Sequence, residues 1–196
     1  MSIAPITVDC KSELIGLTSL LGLSSIRDIL TLPMIDSQII SNHNQWSFLS
    51  QSTGHCTFSL VFRASDHLFR ASAFREVCKG ISPIVVIIST TENDIIGGYS
   101  TKPFSKNGPT SSPEAFLFVL KRRGTCVREK YDIKKGQERW ALYSSKENGP
   151  CFSGDLKISN NCDQNPSLFK NGSYESRELL SSENFLVSEY EVFICN

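Results

Sequence analysis

Histidines, cysteines and one close glutamate pair are the residues of this chain whose types suit chemistry. His55 and Cys56 are adjacent, and His67 and Cys78 follow soon after. Two nitrogens and two sulfurs are ligand types of a tetrahedral metal site, and a neighbouring Cys and His suit an activated thiol. Their spacings match no ligand pattern, and no C-x-x-C occurs. The simpler expectation puts His55 and His67 on exposed segments and Cys78 in a helix as a small hydrophobe. Glu189 and Glu191 alternate with Tyr190 and Val192, so a strand puts both carboxylates on one face. On an open face such a pair is solvation; only in a groove does it become acid–base machinery. Asp66 precedes an apolar helical pattern and suits an N-cap better than a general base. Gly97-Gly98 lacks the Lys-Ser/Thr and the following helix of a phosphate loop. Close backbone packing within a strand is expected there.

Composition narrows the function classes further. The 196 residues carry 20 Lys+Arg against 20 Asp+Glu. A zero balance argues against a general binder of nucleic acid or anionic membranes. Seven cysteines is an odd number, and they are widely spaced. The opening MSIAPITVDCKSE has no basic, apolar pattern of a signal peptide. No run of 18 apolar residues occurs, so membrane insertion is not expected. Reduced thiols and a cytoplasmic location are therefore the expectation. Asn171-Gly172-Ser173 fits a glycosylation sequon but then serves only as a turn. No residue set calls for a cofactor or a catalytic role, and the chain reads as a non-enzyme.

The elements that must position these residues centre on 58–104. Phe58–Phe62 is a short β-prone run. Polar residues 63–66 then lead into Phe69, Ala73, Phe74 and Val77 at helical spacing. Gly80 sits where that helix would stop, and Pro83 follows. Ile84–Ile88 is five β-branched residues in a row, a strand buried on both faces. Thr91–Asp94 is a turn, and Ile95–Tyr99 the return strand.

Elsewhere, residues 12–32 read as an apolar helix ended by Pro33, either docked on the domain or free for a partner. Residues 36–41 are a connector or short strand. Residues 43–53 suit a helix with Trp46 and Leu49 inward. Ser105–Pro113 is a loop. Strands follow at 115–120, 126–133 and 139–144, the last with Trp140, Leu142 and Ser144 on one face and Ala141 and Tyr143 on the other. Ser145–Pro150 reads as a turn and Asp155–Ser159 as a half-buried strand. Asn160–Gly172 reads as a long loop with Leu168 and Phe169 tucked in and Tyr174 as an anchor. Strands near Phe185–Val187 and Tyr190–Cys195 follow. The fold class is α+β, mostly β, with a helical segment over 1–35 and one domain over 36–196.

The ordered series of motifs resembles the TLDc domain of the oxidation-resistance proteins, closest to its divergent, protist-like members. The likeness starts with F-x-L-V-F-R-A-S-D, A-F-R-E-x-C-x-G and I-I-G-G-Y from 58 to 99. It continues through A-F-L-F-V-L at 115–120 and W-A-L-Y-S-S…N-G-P-C-F-S-G-D-L-K-I-S at 140–159, and ends in F-L-V-S-E-Y-E-V-F at 185–193. Matched motif positions include Phe62, Arg63, Ser65, Phe69, Phe74, Cys78, Gly80, Pro83, Gly97, Gly98, Phe152, Gly154, Glu189 and Glu191. The chain departs from the family at His67-Leu68, where many members carry a glycine. It departs again after Phe152, where Gly154 alone stands for two or three glycines, and this puts the backbone at Ser153 and Asp155 in question. The resemblance implies a sandwich of two antiparallel sheets with flanking helices, no cofactor and no active site. It implies a protein-interaction module linked to oxidative-stress protection, with the vacuolar proton pump (V-ATPase) as a possible partner. The rival expectation is a peroxide-reactive thiol, with Cys56 its best candidate.

Overall fold

The computed structural model describes residues 35–104, 107–175, 180 and 182–196. The expected helix at 12–32 lies outside the described residues. Two α-helices are described, α1 (His43–Thr53) and α2 (Ala71–Val77). Twelve strands are described: β1 (Phe58–Arg63), β2 (Ile84–Thr90), β3 (Ile95–Ser100), β4 (Gly108–Thr110), β5 (Phe116–Arg122), β6 (Thr125–Asp132), β7 (Leu142–Ser144), β8 (Asn148–Phe152), β9 (Leu156–Ser159), β10 (Ser167–Phe169), β11 (Asn184–Phe185) and β12 (Val187–Cys195). They form a six-stranded sheet in the order β1-β12-β2-β3-β5-β6, a four-stranded sheet β11-β10-β9-β8 and a small ladder β4-β7. Every pairing between them is antiparallel.

The β-branched run dictates the layering. Ile84, Val85, Val86, Ile87 and Ile88 are all fully buried, which one covered face cannot achieve. Ile84, Val86 and Ile88 join Phe152, Leu156, Ile158 and Phe169 of the four-stranded sheet in one core. Val85 and Ile87 point the other way, on the face where α1 lies. There Trp46 packs its ring 5.3 Å from Phe58 and 5.2 Å from Phe193. Leu49 is buried beside Trp46's turn, and Gln45 Nε2 donates to Leu120 O at 3.5 Å. Glycine is required on both faces of β3, against the other sheet at Gly98 and within the six-stranded sheet at Gly97. A Cβ on Gly98 would lie 2.6 Å from the Phe152 ring, and one on Gly97 would overlap the carbonyl oxygen of Val86.

Several expectations need correction. The helix expected over 66–79 is a 3-10 turn at Ser65–His67 followed by α2. Its cap is not Asp66: the Ala71 N–H donates to Asn160 Oδ1 at 2.9 Å. The strand expected at 139–144 starts only at Leu142, because Glu138–Trp140 is a 3-10 turn. Ala141 and Leu142 are therefore both buried, while Trp140 and Tyr143 are each 44% exposed. The turn expected over 145–150 holds the start of β8. The loop expected over 160–172 contains β10. The two positions where the family carries glycine keep the glycine conformation without it: Leu68 and Phe69 have φ of 53° and 55°, and Ser153 has 58°.

Candidate functional site

Two arrangements of polar side chains stand out. The first is the glutamate pair, and it is not on an open face. Glu191 is fully buried and Glu189 is 8% exposed. A buried carboxylate persists only when its charge is paired or hydrogen-bonded: Glu191 has an ion pair with Arg63 and Glu189 has backbone N–H donors. Glu191 sits directly opposite Arg63 across β12 and β1. Its Oε1 accepts from Arg63 Nε at 2.9 Å and from the Gln38 N–H at 2.9 Å, and its Oε2 accepts from Ser37 Oγ at 2.6 Å. Arg63 Nη2 also reaches Asp36 Oδ1 at 2.9 Å. Burial works against the Arg63 charge, but the bonds to Asp36 and Glu191 outweigh it and leave the guanidinium pKa raised. Glu189 Oε1 accepts from the N–H groups of Ser65 and Tyr190 at 3.1 and 2.9 Å. These carboxylates tie two backbone segments, at Gln38 and at Ser65, to β12.

The second arrangement is an open groove of about 520 Å³, bordered by Trp140, Tyr143, Gln137, Ser153, Gly154 and Lys157 with Ser173. Its floor is built by Asp155, which alternation along β9 would place outward but which is fully buried. The Asp155 carboxylate accepts from the N–H groups of Gly172, Ser173 and Tyr174 at 2.8, 2.8 and 3.1 Å. Three charge-assisted bonds fix the loop after β10 against the β8–β9 turn. Ser153 Oγ and Ser173 Oγ meet at 2.9 Å across the floor. Tyr174, buried as the expected anchor, donates its hydroxyl to Ala141 O at 2.6 Å and so ties in the Trp140 wall.

The rim is apolar and cationic. Only Leu68, Trp140 and Tyr143 are large exposed hydrophobic residues among the described residues, and two of the three border this groove. Lys157 lines it and makes no ion pair among the described residues. Arg139 stacks on the Trp140 ring at 5.2 Å, and Lys134 Nζ donates to Gly172 O at 2.7 Å. The neighbouring acid, Glu138, accepts from the Gly136 N–H at 3.0 Å. Bonds from backbone N–H groups, its own first, hold its carboxyl below the usual range.

The expected site residues are spread over the fold and do not gather at one place. Arg63, Ser65, Glu189 and Glu191 come together in the clamp. Phe62 and Phe74 enclose Tyr190, with Phe69 half-buried beside them. Gly98 meets Phe152 between the sheets, Gly97 faces Phe118 on the other side of β3, and Gly154 reaches the groove. Gly80 takes a φ of 75° after α2, and Ser82-Pro83 is cis.

His55, Cys56, His67 and Cys78 are not brought together. His55 Nε2 faces the Tyr99 hydroxyl at 3.3 Å on one side of the six-stranded sheet. His67 stacks on Phe62 at 4.8 Å on the other side. Both are half-buried, contrary to the exposed placement expected. Cys56 is exposed. Cys78 is buried, and desolvation pushes its thiol up to about 12. Among the described residues no group of His, Cys, Asp and Glu is arranged to hold a metal, and no helix is long and apolar enough to cross a membrane.

Sequence reasoning missed Asp155 and Ser37. The signal for Asp155 was an acidic residue directly after a turn, facing a Gly-Ser pair that offers N–H donors. A search of curated proteins finds no match to the chain. The family model of the TLDc domain matches residues 34–196, which takes in the whole sandwich, the clamp and the groove. By that match, in agreement with the motif series, the chain belongs to the TLDc domain family.

Proposed function

We propose that this TLDc chain is a non-catalytic protein-interaction module, and that the groove between Trp140 and Lys157 receives a partner segment with an apolar side chain flanked by carboxylates. The observation that carries this reading is the pair of exposed aromatic residues beside a lysine that makes no ion pair among the described residues, on a floor fixed by Asp155. Rigid aromatic anchors supply contact area at low entropic cost, and a cationic rim selects acidic sequence. The polar groups that might otherwise do chemistry are engaged structurally: Glu189 and Glu191 hold backbone, and His55 faces Tyr99.

Oxidative-stress protection and association with the V-ATPase attach to this chain through its family. An acidic segment of such an assembly is one source of the ligand described here. The rival, a peroxide-reactive Cys56, rests on its exposure and its histidine neighbour. Alkylation mapping at neutral pH separates the two: Cys56 should react at the rate of a free thiol in solution.

The direct test is a titration of the full chain, followed by amide NMR, with a twelve-residue peptide carrying a central leucine between glutamates. Shifts should concentrate at Trp140, Tyr143, Gly154, Lys157 and Ser173, weaken with salt, and vanish in a Trp140→Ala, Tyr143→Ala double variant. Equal binding of a lysine-flanked peptide, or shifts located elsewhere, would overturn the reading.

A further inference from the structure

The clamp on Glu191 holds a piece of chain that has no regular structure of its own. Residues 35–42 form neither helix nor strand, and they lead into α1. Ser37 is their centre. Its Oγ donates to Glu191 Oε2 at 2.6 Å and accepts from the N–H groups of Ile39 and Ile40 at 3.2 and 2.9 Å. Ile40 is buried just beyond, and Asn42 then caps α1 through the Asn44 N–H at 2.8 Å. The strap therefore delivers α1 to the face formed by Phe58, Ile87, Phe118 and Phe193.

Charge at this clamp is already one-sided. A single guanidinium, Arg63, serves Glu191 at 2.9 Å, Asp36 at 2.9 Å and Asp66 at 4.0 Å. Three carboxylates surround one cation, and Glu191 is cut off from water. Further negative charge on Ser37 Oγ would meet Glu191 with no spare cation among the contacts of the clamp. The α1 helix is held by packing rather than by charge. Its sequence HNQWSFLSQST carries no acidic residue in the first turn and no basic residue in the last, so it gains nothing from its own dipole. Its hold on the sheet comes from Trp46, Leu49 and Gln45.

We infer that Ser37 is a modification site at which phosphorylation opens the strap and frees α1 from the six-stranded sheet. A protein kinase transfers the γ-phosphoryl group of a nucleoside triphosphate to Ser37 Oγ. The Oγ–P bond forms as the bond to the leaving nucleoside diphosphate breaks, and the hydroxyl proton passes to the kinase base. Ser37 is half-buried, between the exposed residues Asp36 and Gln38, at the start of a bend outside any helix or strand, with no ladder to break before a kinase cleft takes it. The product is a dianion where the hydroxyl used to donate. The device is independent of the groove, which lies on other elements.

The test installs phosphoserine at position 37 of the full chain by genetic code expansion and follows amide hydrogen exchange. Amides of α1 should exchange at least tenfold faster than in the unmodified chain, while β2 and β3 keep their protection. Ser37→Ala, which removes the hydrogen bond without adding charge, should produce a smaller effect. Glu191→Gln in the phosphorylated chain should return part of the protection, because Arg63 is then free to pair with the phosphate. Unchanged exchange in α1 would overturn the inference. So would loss of protection in β2 and β3 together with α1, or a Ser37→Ala effect as large as that of phosphoserine.

Discussion

Leu68 is 66% exposed and sits at a φ of 53°, a conformation that costs a residue with a Cβ about 1–2 kcal/mol. Leu68→Gly should therefore raise the stability, by about 0.5–1 kcal/mol once the greater freedom of glycine in the unfolded chain is subtracted. Urea denaturation at neutral pH reads this directly, and a loss of stability would mean that Leu68 makes an apolar contact that outweighs the strain. Asp155 is the opposite case. Truncation to Ala leaves three N–H donors without their acceptor, two of them in buried bonds. The cost should be about 2–4 kcal/mol, and the groove aromatics should become more mobile by NMR relaxation. A melting temperature within a degree of the parent would remove Asp155 from its assigned role.

Elements with a strong apolar signal were legible in the sequence, and those shaped by distant partners were not. The run Ile84–Ile88 required cover on both faces, and the sandwich core and α1 lie on those faces. Ile87 sits on the α1 side, so Ile87→Ala should cost about 2–5 kcal/mol by leaving a cavity there. Differential scanning calorimetry measures it, and an unchanged transition would mean that this face tolerates a void. The closing strand was legible too, and β12 pairs directly with β2. β8 was not, because Pro150 cannot donate to a ladder and argued for a turn. The structure places β8 at an edge of the four-stranded sheet, where a proline is tolerated. Glu189 and Glu191 were misplaced for a related reason. Alternation marks polar residues as outward, and only the fold shows that Arg63, Ser37 and two backbone segments are waiting there. Of the groove, the sequence yielded Tyr174 and Gly154 but not the exposure of Trp140. That exposure depends on the 3-10 turn Glu138–Trp140, which carries no local signature.

At the scale of the whole molecule, the buried thiols set a limit on alkaline conditions. Desolvation raises Cys78, Cys151, Cys162 and Cys195 from an ordinary 9.0 to about 12. Between these values the unfolded chain releases protons that the folded chain keeps. Their contribution to stability is then complete below pH 9 and lost as pH rises towards 12. The urea midpoint should fall steadily from pH 9 to 11, and Cys162→Ala should make that slope shallower. A midpoint independent of pH over this range would contradict the burial of these groups. Thiol labelling of the native chain at neutral pH should mark Cys56 and Cys126 and spare these four, since among the six described cysteines only the former two are exposed.

The strand order β1-β12-β2 also carries a consequence in time. Among the described strands β1 pairs only with β12, so Phe58 has no ladder partner until Cys195 has been made. At a synthesis rate of about 5–20 residues per second this is a wait of roughly 7–27 s. From the completion of β3 onward, Ile84–Ile88 has β3 on one side and an open edge on the other, an apolar template for any strand that passes. The domain is thus one whose nascent chain needs guarding until β12 leaves the ribosome, and whose birth ends with the insertion of a strand into the middle of a sheet.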